Sequence, residues 1–338
     1  MRFKTKGIFN FVFSQKKPPK KVGKAKIRIT KTTMIMSEYH QPVMLKECID
    51  GLAIKPEGVY VDVTFGGGGH SRAILEHLGE QGKLLSFDQD GDAKQQANDI
   101  THPGFHLIMA NFRFLKKYLK VYGVTKVDGI LADLGISSHQ IDTPERGFST
   151  RFDARLDMRM SENHPTTAHD VVNEYSESDL HKILGMYGEL KNARTVASTL
   201  VRSRHDQAID TVAQLKQAIQ RHAPRGREHK FFAQVFQALR IEVNEEIKVL
   251  EEMLEQAAEV LKPQGRLVVM SYHSLEDRPV KNYIQKGKFR GEADKDVYGN
   301  VLKPLQAINR KVITATEEEI AINNRARSAK LRIAEKLF

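Results

Sequence analysis

Three aspartates and a run of glycines hold most of the chemistry this sequence offers. Residues 59–71 read Val59-Tyr60-Val61-Asp62-Val63-Thr64-Phe65-Gly66-Gly67-Gly68-Gly69-His70-Ser71. An apolar run ending in an acid and followed by four glycines predicts a buried strand, a turn, and then a helix over 71–77. The glycines let the backbone turn sharply and approach a ligand with no side chain between. The helix start beyond them offers unpaired N–H groups. A second apolar run, Lys83-Leu84-Leu85-Ser86-Phe87-Asp88, ends in another acid. It lies about 20 residues on, where a carboxylate can grip ribose hydroxyls. These types and spacings suit a nucleotide-like cofactor, and both NAD and S-adenosylmethionine fit. There is no G-x-x-x-x-G-K-[ST], which excludes a P-loop, and the glycine run is not G-x-G-x-x-G. A pyrophosphate is held by a helix N-terminus aimed at it, and Asp62, just before the glycines, would repel it. S-adenosylmethionine instead carries an ammonium that Asp62 suits, so the loop favours it over NAD. An NAD oxidoreductase would also need a His or Tyr/Lys pair beside the nicotinamide, and none can be placed.

The elements that must position these residues follow from hydrophobic periodicity. Strands are expected over 59–64, 83–88, 105–110 and 127–134, with helices over 91–100 and 114–122 between them. Such alternation predicts a parallel, doubly wound α/β sheet. Right-handed crossovers place every strand's C-terminus on one edge, where ligands bind. Asp62, Asp88, Asn111, Phe112 and Asp133 all fall there and are read as one site. The alternation then stops. Residues 146–244 read as helix only, with apolar residues at helical spacing over 179–187, 193–204, 212–222 and 231–242. A helix over 245–261, a strand over 265–272 and a closing strand over 330–334 resume the pattern, and 286–304 reads as a loop. An all-helical domain, 146–244, is thus expected as an insertion in a discontinuous sheet domain, 37–145 and 245–338.

Composition narrows the class. The 338 residues hold 53 Lys and Arg against 42 Asp and Glu, a net charge of +11. Eleven of those basic residues lie in 1–36, which contain no acid, so the remainder is formally neutral. The basic balance therefore belongs to a leader, and does not by itself argue for nucleic acid. That leader fits a basic arm for RNA or translation read from an upstream start, with Met34 and Met36 just before the globular pattern. Its apolar piece, 8–13, is shorter than a signal-peptide core. A lone cysteine, Cys48, fits a reducing cytoplasmic setting. Neither CxxC nor HExxH is present, so no metal is expected, and no apolar run approaches the roughly 20 residues of a membrane span. Within the helical stretch, Lys191, Arg194, Arg202, Arg204, Lys216, Arg221, Arg225, Arg227 and Lys230 suit a surface that holds a large substrate by its phosphates. An ordinary solvated helix face fits them too.

With these motifs in view the chain resembles the RsmH (MraW) family. Those are bacterial S-adenosylmethionine-dependent methyltransferases that modify the N4 amino group of a cytidine in small-subunit ribosomal RNA. The resemblance runs in order from about residue 40 to the C-terminus. It is carried by 40–45 (HQPVML), 62–71 (DVTFGGGGHS), 87–90 (FDQD), 133–140 (DLGISSHQ), 145–149 (ERGFS), 156–160 (LDMRM), 236–244 (FQALRIEVN), 272–278 (YHSLEDR) and 324–328 (NRARS). Departures are few. The family often has Arg or Lys where Gly67 stands, Pro where His139 stands, and Phe in place of Tyr272; residues 1–36 have no counterpart. The resemblance implies a Rossmann-like methyltransferase sheet, S-adenosylmethionine as cofactor, and cofactor contacts at Gly68, Gly69, His70, Asp88, Phe112, Asp133 and Gln140. Its implied substrate is 16S ribosomal RNA near the decoding site, within the small ribosomal subunit, in the cytoplasm and away from any membrane. A homodimer stays open, as does a non-catalytic RNA-binding assembly factor of the same fold.

Transfer to an exocyclic amine needs acceptors for its N–H groups, which free a lone pair otherwise delocalised into the ring. Many amino methyltransferases use an Asp/Asn/Ser-Pro-Pro-aromatic loop after the fourth strand. Here that position reads Asp133-Leu134-Gly135-Ile136-Ser137-Ser138, without the prolines or the aromatic. Asp133 is the expected catalytic acceptor, with Ser137 or Ser138 beside it. The run 272–278 is expected to form either a base pocket or a loop fixed by its own hydrogen bonds.

Overall fold

The computed structural model describes residues 42–338, except the side chain of Ser138. The basic leader and the sheet domain's expected start at 37 lie outside the described residues. The chain first forms α1 (Leu45–Leu52) and then β1 (Val59–Asp62), whose last three residues are buried. Next come α2 (Gly69–Glu76), β2 (Lys83–Asp88), a short α3 (Ala93–Gln96), β3 (Phe105–Met109), α4 (Leu115–Val121) and β4 (Val127–Asp133). The expected ten-residue helix over 91–100 is reduced to the single turn of α3. That stretch is polar, with no apolar stripe to hold a longer helix against the sheet.

Beyond β4 the chain leaves the sheet through α5 (Ser138–Asp142) and makes α6 (Ala168–Glu174), α7 (Glu177–Met186), α8 (Ala193–Asp206), α9 (Val212–Ile219) and α10 (Glu228–Val243). The expectation of helix throughout 146–244 does not hold at its start. Residues 147–167 contain no helix. Arg159 explains this: it forks onto Asp157 at 2.8 Å through Nε and Nη2, and donates through Nη1 to the carbonyls of Glu162 and His164. One side chain thus satisfies backbone acceptors that a helix would satisfy internally. The five helices enclose their own core, including Leu156, Met158, Val171, Leu184, Val196, Leu200, Leu215 and Leu239.

The sheet resumes after α11 (Glu246–Val260) with β5 (Leu261–Ser271), α12 (Ser274–Lys286), β6 (Leu305–Ala307), α13 (Glu317–Ile322) and β7 (Lys330–Lys336). Strand order is β3-β2-β1-β4-β5-β7-β6. The first five strands are parallel; β7 runs antiparallel to both β5 and β6. This is the doubly wound, Rossmann-like sheet, with its topological switch where β1 meets β2 on one side and β4 on the other. Alternating side chains serve two faces. Val61, Leu85, Phe87 and Ile130 pack with α4, α11 and α12 residues such as Leu119, Met253, Leu254 and Ile284. Tyr60, Leu84, Leu131 and Val268 pack with Cys48, Leu52, Ile74 and Leu75 of α1 and α2. Among the described residues, no helix is long and apolar enough to cross a membrane.

Candidate active site at the carboxyl edge of the sheet

The C-terminal ends of β1, β2 and β4 put Asp62, Asp88 and Asp133 on one edge, but in different surroundings. Asp62 is fully buried. It accepts a hydrogen bond from Ser71 Oγ at 2.7 Å and another from the Thr64 N–H at 3.0 Å, and Ser71 also meets Ser86 Oγ at 2.8 Å. Its carboxyl group braces β1 against α2 and β2, so it does not stand open to an ammonium, contrary to the expectation from its place before the glycines.

The glycine loop is built for close approach. Gly66 and Gly68 have φ of 53° and 76°, left-handed values that favour glycine. Gly68 is the N-cap of α2, and no side chain caps that helix start. A Cβ on Gly69 would lie 2.3 Å from Pro42 Cγ, so the backbone there touches the preceding segment directly. Asp88 fixes the loop from below. Its carboxylate accepts from the N–H groups of Gly66 at 2.8 Å and Asp90 at 2.9 Å. Burial pushes its pKa up to about 6, against the pull of those two hydrogen bonds.

Asp133 is the most elaborately held of the three. The Tyr272 hydroxyl donates to its Oδ1 at 2.8 Å, while Oδ2 faces His70 Nδ1 at 3.8 Å. Its own N–H donates to Thr64 Oγ1 at 2.7 Å. Burial raises its pKa to about 6, and His70 and the Tyr272 hydrogen bond act in the opposite direction. The side chain remains 24% exposed, so a ligand can reach it. His70 is buried at the start of α2, and its Nε2 lies 3.2 Å from the Val43 carbonyl. Tyr272 is held in turn by Glu276, which accepts its N–H at 2.8 Å and pairs with His273 at 3.1 Å. The run 272–278 is therefore fixed by its own hydrogen bonds, as expected in one of its two readings, but as the entry to α12 rather than as a loop. Pro279 inside that helix obscured it in the sequence.

Ser137 and Gln140 form a reciprocal capping box on α5. Ser137 Oγ accepts the Gln140 N–H, and Gln140 Oε1 accepts the Ser137 N–H, both at 3.1 Å. Ser137 is thus engaged as a helix cap. Gln140 also donates to Asp90 at 2.8 Å, and Asp90 pairs with Arg146 at 3.0 Å. Arg146 reaches on to the carbonyls of Arg159 and Met160. This chain joins the β2 end to the loop that opens the helical segment. Phe112 lies in a 3-10 turn, half-buried and packed against the sheet core. Sequence reasoning did not link Tyr272 to Asp133 or Arg146 to Asp90. All four residues lie within recognisable motifs, but the members of each pair are far apart along the chain.

Comparison with known proteins sets these residues in context. The model of the MraW methylase family matches residues 37–337. Ribosomal RNA small subunit methyltransferase H of Cytophaga hutchinsonii is 60% identical over 298 residues, 88% of this chain and 99% of that protein. The protein of the same name from Flavobacterium johnsoniae is 57% identical over 306 residues, 90% of this chain and 99% of its own. That of Bacteroides thetaiotaomicron is 54% identical over 298 residues, covering 88% and 97%. Among solved structures, an rRNA methylase from Streptococcus thermophilus aligns at 15% identity and a TM-score of 0.39, over 86% of this chain and 95% of that one.

Proposed function

This chain belongs to the MraW methylase family, and on that footing we propose that it methylates the N4 amino group of a cytidine in 16S ribosomal RNA near the decoding site. S-adenosylmethionine is its methyl donor. The glycine cradle fits that molecule: left-handed turns at Gly66 and Gly68, an α2 start without a side-chain cap, and Asp88 beneath. Gly68, Gly69 and His70 would take its methionine end, Asp88 its ribose, and Phe112 would stack on its adenine, with Asp133 and Gln140 facing the transferring methyl. When bound, it supplies an electrophilic methyl group on a sulfonium.

The rest is done by this chain's own residues. Asp133 accepts N–H hydrogen bonds from the target amine, which draws the nitrogen toward sp³ and frees its lone pair. Tyr272 and His70 hold the carboxylate in one orientation for this. No strong base is required beforehand, because the methylated ammonium is acidic and gives up its proton readily. Alignment of amine and methyl group supplies much of the rate. The observation that carries the reading is Asp133 itself: a carboxylate at the β4 end beside the switch point, anchored at Oδ1 and still accessible.

In this reading the segments 37–145 and 245–338 form the chemical domain, and 146–244 grips the RNA. Arg194, Arg202, Arg225, Arg227 and Lys230 are exposed on that helical part. The substrate would be met within the small ribosomal subunit, in the cytoplasm. The test is a tritiated-methyl assay on undermethylated small subunits, followed by digestion to nucleosides. N4-methylated cytidine is expected. Label in another nucleoside, or none, would overturn the assignment.

A further inference from the structure

Away from the proposed catalytic edge, a second concave site gathers positive charge. Lys281 of α12, Lys303 before β6, Arg310 and Lys311 after it, and Arg332 of β7 line a cavity of about 230 Å³. No carboxylate lines it. Arg332 is neutralised by a bidentate pair with Asp277, at 2.6 and 3.0 Å. Among the described residues, Lys281, Lys303, Arg310 and Lys311 have neither an ion pair nor a hydrogen-bond partner. Four unpaired cations around one concavity repel each other, an arrangement that an anion would relieve. Asn309 lines the same cavity, and its Oδ1 is buried without a partner. Its amide can equally present its NH₂ there, since the two ends of an amide differ only in hydrogen bonding.

The strand register fixes where this cavity lies. Arg332 pairs with Val269, and Val269 with Ala132, the residue before Asp133. The cavity's edge is therefore two strands from Asp133, about 10 Å at the usual strand spacing. A phosphate held there belongs within reach of a nucleotide whose base lies at Asp133.

Resting on the methyltransferase reading above, we propose that this cavity is a backbone-phosphate subsite for the RNA substrate, carried by the sheet rather than by the helical part. The test uses the full chain with Lys281→Gln, Arg310→Gln and Lys311→Gln combined, three exposed side chains outside the proposed catalytic machinery. Filter binding of small-subunit RNA over a salt series is expected to show a several-fold weaker affinity. The log–log salt slope should flatten by about 0.7–0.9 for each phosphate that is no longer held. S-adenosylmethionine affinity by calorimetry, and kcat at saturating RNA, should not change. Neutralising Lys83 of β2, Lys94 of α3 and Lys120 of α4, equally exposed on the far side of Asp133 in strand order, provides the control. Unchanged RNA binding in the triple variant, or an equal effect in the control, would overturn the subsite. So would tight uptake of inorganic phosphate that the triple variant loses while its RNA affinity stays intact; that result marks a small-anion site. Wild-type protein that binds RNA through this cavity yet methylates none would overturn the proposed function and leave the subsite standing.

Discussion

The carboxyl group of Asp133 is under opposing forces, and its neighbours decide where it titrates. Burial lifts it to about 6, while Tyr272 and His70 pull it down. It is the stronger acceptor, with both oxygens available, when ionised, so methyl transfer should fall as pH drops through about 6. Tyr272→Phe removes a donor that favours the ionised form, and the acid limb of the kcat profile should then move to higher pH. A limb that stays in place would show that Asp133 is not the titrating group. Asp133→Ala should abolish transfer and leave RNA binding nearly intact. Asp88 sits under the glycine loop rather than beside the amine, so Asp88→Ala should act on cofactor affinity. A loss of about 1.5–3 kcal/mol is expected in calorimetry, the range for a hydrogen bond to a charged group. Unchanged affinity would remove Asp88 from the site.

At the scale of elements, the glycine turn before α2 is defined by contact rather than by flexibility. Gly69→Ala drives a Cβ to 2.3 Å from Pro42 Cγ, so either the turn or the segment before α1 must shift. Weaker S-adenosylmethionine binding and a lower Tm are expected. Gly67 has no left-handed φ, and the resembled family often has Arg or Lys there, so Gly67→Arg should leave both near wild type. Equal damage from the two substitutions would mean that the turn tolerates no side chain anywhere. The strands β1 to β4 were legible in the sequence because each is a mainly apolar run bounded by polar residues, whereas β5 starts four residues ahead of its expected start, through the polar stretch Lys262 to Arg266. β2 is observed over the same residues that its pattern predicts. Its end and that of β4 place Asp88 and Asp133 on one edge from the sequence pattern alone. What escaped reading depends on partners distant in sequence. The loop 147–167 is held by the Arg159 fork. Asp62 looks free in the sequence and is consumed by Ser71. The first turn of α12 is masked by Pro279, and the Ser137–Gln140 cap makes a scaffold of a hydroxyl that spacing alone presents as chemistry.

At the scale of the described chain, α6 to α10 and the sheet have separate cores, with α11 belonging to the sheet's, so damage to one should be readable apart from the other. Replacing Arg225, Arg227 and Lys230 together with Gln should weaken RNA binding and flatten its salt dependence, with cofactor affinity unchanged. If Asp133→Ala lost RNA binding to the same extent, the division between a chemical sheet and a gripping helical part would be wrong. The sheet's central pairing also constrains how the chain acquires its fold. β4 and β5 lie side by side from Gly129 opposite Arg266 to Asp133 opposite Met270, although all the helices from α5 to α11 intervene. Joining strands across so long an excursion carries a closure entropy that local contacts do not. If those helices condense first, they draw the ends of β4 and β5 together and shorten the loop to be closed. In pulse-labelled hydrogen exchange, amides of α7, α8 and α10 should therefore gain protection before those linking β4 to β5. The opposite order would make the sheet the nucleus and the helical excursion a late passenger.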